Sequence, residues 1–100
     1  MPIDPQDKEF LDAAERALSS AWDRYHAAPD SDKPLLQPQV EMAYQRWLDI
    51  RMKLLEPGTI STAEDVAEAR RLRGEINAAA DNQALVMALA RLVALLTKFA

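Results

Sequence analysis

The stretch Asp81-Asn82-Gln83-Ala84-Leu85-Val86-Met87-Ala88-Leu89-Ala90-Arg91-Leu92-Val93-Ala94-Leu95-Leu96-Thr97-Lys98-Phe99 decides the fold. Nine large apolar residues fall within the sixteen positions from Leu85 onward. Leu85, Val86, Leu89, Leu92, Val93, Leu95, Leu96 and Phe99 recur at intervals of three and four, the spacing of one broad helix face. That face covers about half the circumference, more than one neighbouring helix can shield. Each such side chain gains ~1.5–3 kcal/mol on burial. Two outcomes satisfy it: a central position in the chain's own bundle, or partial burial by a second chain or a partner. Arg91 interrupts the run, which is too short to span a bilayer.

Working outward from this helix, residues 62–80 show a thinner stripe: Val66, Ala69, Leu72, Ile76 and Ala79/Ala80. Ser61-Thr62-Ala63-Glu64 reads as a capping box, with Ser61 capping and Glu64 reaching back. Continued as one rod, the two stripes would point to nearly opposite sides. Asp81 and Asn82 are cap formers at the changeover. The sequence therefore predicts a sharp turn at residues 80–82, the alternative being one long helix with two differently directed halves.

Asp4-Pro5 opens a helix that runs to about residue 27, as an N-cap followed by proline at the first helical position. Phe10, Leu11, Ala14, Ala17, Leu18, Ala21, Trp22 and Tyr25 share its apolar arc, opposite Asp12, Glu15, Arg16, Ser19 and Asp23. Residues 28–34 read as a proline-stiffened loop. A further helix spans 38–56, with Pro38 in its first turn and Pro57-Gly58 as its stop. Its arc holds Val40, Ala43, Tyr44, Trp47, Leu48, Ile50, Leu54 and Leu55.

The fold expectation is an all-α domain: a small antiparallel bundle of three to four helices over about 5–27, 38–56, 62–80 and 82–99, forming a single domain over 1–100. Composition agrees. Eighteen alanines and two glycines in 100 residues suit helices and disfavour hairpins.

Composition also narrows function. Without cysteine there is no disulfide, thiolate metal site or cysteine nucleophile. One histidine excludes a multi-histidine zinc site and a histidine pair for acid–base work. Two glycines cannot write a P-loop or a dinucleotide fingerprint. A net charge of -4 argues against general nucleic-acid binding. Arg70, Arg71 and Arg73 lie among Glu64, Glu68 and Glu75 and read as a solvated salt-bridge face. His26 suits the negative end of the first helix dipole. The N-terminus lacks the basic and apolar runs of a signal peptide, so a cytoplasmic location is expected.

Two arginines break the pattern. Arg51 falls inside the apolar arc of the second helix and Arg73 inside the stripe of the third. Either each stem packs on the core while the guanidinium reaches out, stacks on Trp47 or Tyr44 or pairs with an acid, or the two flank an anionic site.

The favoured functional expectation is a non-enzymatic protein–protein interaction or assembly module: an adaptor, an inhibitor, or an accessory component of a larger assembly, viral particles included. Its candidate interaction residues are Leu85, Leu89, Leu92, Val93, Leu96 and Phe99, with Tyr44, Trp47, Arg51 and Arg73. The expected partner is a second copy, another protein, or both, with no nucleic acid, membrane, metal or cofactor. The alternatives are a small all-α enzyme or anionic-ligand binder using Arg51 and Arg73, and a nucleic-acid-associated regulator.

Overall fold

The computed structural model describes residues 4–54 and 60–99. They form four helices: α1 (Pro5–Ala27), α2 (Lys33–Lys53), α3 (Ala63–Ala78) and α4 (Asn82–Thr97), with no strand among the described residues. The predicted break lies at residues 79–81, so the two C-terminal stripes belong to separate helices.

The ends of the helices follow from capping chemistry. Asp4 accepts hydrogen bonds from the backbone N–H groups of Gln6 and Asp7 at the start of α1, and Asp81 accepts from Ala84 N–H at 2.8 Å. The box at α3 sits one residue later than the sequence suggests. Thr62, not Ser61, caps the helix, and Asp65, not Glu64, accepts from the Thr62 N–H at 2.8 Å. The shift follows from a competing partner: Ser61 turns its N–H and hydroxyl to Asp7 of α1. α2 begins five residues earlier than expected. Pro34 occupies the first turn, where a missing N–H costs nothing, and Leu36 is fully buried, which draws this turn into the bundle. Pro38 therefore stands inside the helix and removes one bond, to the carbonyl of Pro34. The expected core position Leu55, the end of α2 at Glu56 and the Pro57-Gly58 stop lie outside the described residues.

Two long-range anchors fix the direction of α3. Asp7 ties the start of α1 to the start of α3, and Arg24 at the other end of α1 donates to the last carbonyls of α3. The two helices are thus parallel neighbours. Glu75 pairs with Arg91 and Asp65 with Lys98, so α4 runs back along α3. In cross-section the order is α1, α2, α4, α3. α2 and α3 occupy one diagonal without packing on each other, and α1 and α4 barely meet across the other. α4 is packed chiefly between α2 and α3.

The core combines Phe10, Leu18, Leu36, Val40, Ile50, Leu72, Ile76 and the α4 leucines, with the alanines of α1 allowing close approach. Phe10 and Phe99 close one end, ring centroids 4.7 Å apart. No helix is long and apolar enough to cross a membrane among the described residues.

Candidate docking surface

The residues singled out on α4 are enclosed by the chain itself. Leu85, Leu89, Leu92, Leu96 and Phe99 are buried, and Val93 is partly buried against the same core. Of the two outcomes open to so wide an apolar face, the structure shows the first, a place within the chain's own bundle. α2 and α3 clasp α4 from two sides, and Phe10 of α1 covers its end. These side chains are core, not docking surface, in this fold. Met87, 51% exposed, is the large apolar residue α4 leaves in the open.

Tyr44, Trp47 and Arg51 do come together. Arg51 lies over the Trp47 ring with 5.2 Å from Cζ to the centroid, while its side chain stays exposed. Trp47 stacks on Tyr44 at 6.5 Å, and its indole N–H points at the Leu11 carbonyl at 3.5 Å, a long contact. Tyr44 meets Trp22 edge-on at 6.4 Å, and Trp22 stacks on His26 at 5.6 Å. The result is a continuous ladder from His26 through Trp22, Tyr44 and Trp47 to Arg51, along the edge between α1 and α2. Its inner rungs are packed and Tyr44 is 40% exposed.

Arg73 is not part of this ladder. It lines a groove of about 400 Å³ between α1 and α3 with Arg16, Arg70, Glu9 and Asp12. The structure does not bring Arg51 and Arg73 together: Arg51 lies on the α1–α2 edge and Arg73 on the groove between α1 and α3. In the groove Arg70 is held by Glu9 at 2.9 Å, and Asp12 by Lys8 at 2.9 Å. Arg71 pairs with Glu68 rather than with Glu75, which goes to Arg91.

Sequence reasoning missed the reverse side of α2. Positions 35, 38, 42, 45, 49 and 52 are all exposed. They repeat at intervals of three and four, the spacing of a coiled-coil seam. Three carry large apolar side chains in water: Leu35 at 55%, Met42 at 45% and Met52 at 70% exposure. Pro38, Glu41, Met42, Gln45, Arg46 and Trp22 border a shallow depression of about 810 Å³ on this side. The signal was present in the seven-residue steps from Leu35 to Met42 and from Gln45 to Met52. It was hidden because the inward arc of α2 satisfied the helical pattern by itself.

For chemistry the arrangement offers little. No group of three or more histidine, cysteine or acidic side chains able to hold a metal occurs among the described residues. The buried Ser61–Asp7 pair joins two helix starts. His26 is engaged with the rings of Trp22 and Tyr25. Burial alone would raise the Asp65 carboxyl, but hydrogen bonds from Lys98 and Thr62 outweigh it and hold the group below its ordinary range. Asp65 thereby ties α3 to the end of α4.

No family model, curated protein or solved structure matches the chain.

Proposed function

We propose that this chain is a non-enzymatic docking module whose working surface is the outward side of α2, continued by the aromatic edge shared with α1. One observation carries the reading. Among the described residues, four of the six large apolar side chains left exposed, Leu35, Met42, Tyr44 and Met52, stand on this one helix, whose opposite side is already used in the core. Scattered single apolar residues are ordinary on a protein surface, but a row of them on one helix marks an interaction site. Tyr44 and Arg51 are residue types that anchor interfaces, and Trp22 and Trp47 hold them in place.

A photoreactive side chain at position 42, with one at position 87 as control, tests this. The labelled chain is irradiated both purified and in an extract of its native source. Adducts at position 42 that disappear with Leu35→Glu/Met52→Glu, and none at 87, are expected. No adduct at 42 in either setting, or equal adducts at 87, overturns the reading.

A further inference from the structure

The solvent side of α2 carries its own statement of what covers it. The seam 35-38-42-45-49-52 is flanked on one edge by Glu41 and on the other by Arg46. Within one chain these two are five residues apart and do not meet. Glu41 accepts from Gln37 at 2.9 Å, and Arg46 reaches Asp49 only at 3.8 Å. The guanidinium of Arg46 remains partly exposed at its outer end, where its nearest acid is Asp49. Both charges keep bonding capacity for something outside the bundle.

We infer that α2 pairs with α2 of a second copy, side by side and parallel, about a two-fold axis along the seam. This deepens the docking reading and rests on it. In a parallel pair, the residue just before one seam position lies beside the residue five places later in the other helix. Glu41 of each copy then meets Arg46 of the other, giving two opposite-charge contacts that shield the seam between them. Leu35, Met42 and Met52 each pack on their own counterpart, and Gln45 meets Gln45 with complementary amide groups. An antiparallel pair sets Glu41 on the same edge as Glu41 and Arg46 on the same edge as Arg46, so charge selects the parallel arrangement. Asp49 is the position that opposes it, because it faces Asp49 of the second copy. The contact is therefore weak and depends on concentration. A two-fold contact of this kind closes on itself and stops at two copies.

The test uses the purified full chain. Light scattering over a concentration series should show the mass rising from 11.2 kDa toward twice that value. Glu41→Arg and Arg46→Glu should each weaken the pair about tenfold, since each turns two attractions into repulsions. The two changes combined in one chain should restore it, and Asp49→Asn should tighten it. Because the chain has no cysteine, Gln45→Cys provides a second readout: it should oxidise to a linked dimer, while Met87→Cys should not. A constant 11.2 kDa mass to millimolar concentration, with no Gln45→Cys dimer, overturns self-pairing. Single charge changes without effect overturn the parallel register. Adducts to a foreign protein at position 42 alongside a strictly monomeric chain would leave the docking surface standing and remove only the second copy.

Discussion

Asp7 shows how one side chain sets the course of the chain. It is fully buried in the first turn of α1 and accepts from the N–H groups of Ile60 and Ser61 and from the Ser61 hydroxyl. It thereby fixes the point where the chain enters α3. Asp7→Ala leaves the buried N–H and hydroxyl of Ser61 without their acceptor and should cost about 2–3 kcal/mol in urea unfolding, whereas Ser61→Ala should cost about 1. Nothing in the sequence marks Asp7 as an anchor. It reads as one more acid near a helix N-terminus, and its partners lie 53 and 54 residues away. Asp65 makes a pH prediction. Its carboxyl is lowered on folding, so its contribution is complete above the ordinary value of 3.8 and is lost as pH falls through the folded value. Acid unfolding followed by circular dichroism should show a shallower decline in Lys98→Met than in the parent chain, because Lys98 is one source of the lowering.

Among the elements, α3 is the thinnest, and it is held from outside. Arg24 donates to the carbonyls of Ile76, Asn77 and Ala79, closing a helix end that has no cap of its own chemistry. Arg24→Met should raise amide exchange in residues 76–81 well before the rest of the molecule opens. Gly74 weakens the same helix. A Cβ there would meet no atom within 4 Å, so Gly74→Ala should stabilise the protein by about 0.5–1 kcal/mol in thermal or urea unfolding. The helices themselves were legible in the sequence. Periodicity and caps placed α1, the α3–α4 break and most inward residues. The start of α2 was not, because Pro34 and Pro38 read as loop and first turn until the burial of Leu36 is known. The cap of α3 moved by one residue because Ser61 had a better partner elsewhere in the chain.

For the whole molecule, the decisive fact is the cross-sectional order α1, α2, α4, α3, which no local pattern contains. It seats the wide apolar arc of α4 between α2 and α3, and it leaves the outer side of α2 facing solvent. The arc was visible in sequence, but its destination was not, since whether a broad face is covered depends on which helices surround it. Leu92 lies fully buried in that arrangement, so Leu92→Ala should cost about 3–5 kcal/mol by opening a cavity. Among the described residues, three exposed methionines report on which side of the molecule docks: Met42 and Met52 on α2, and Met87 on α4. Oxidative footprinting of the native chain, dilute and then at the concentration or in the assembly where it associates, reads all three at once. Selective protection of Met42 and Met52 with Met87 still reactive is the predicted result. Protection of Met87 with Met42 and Met52 unchanged would contradict it.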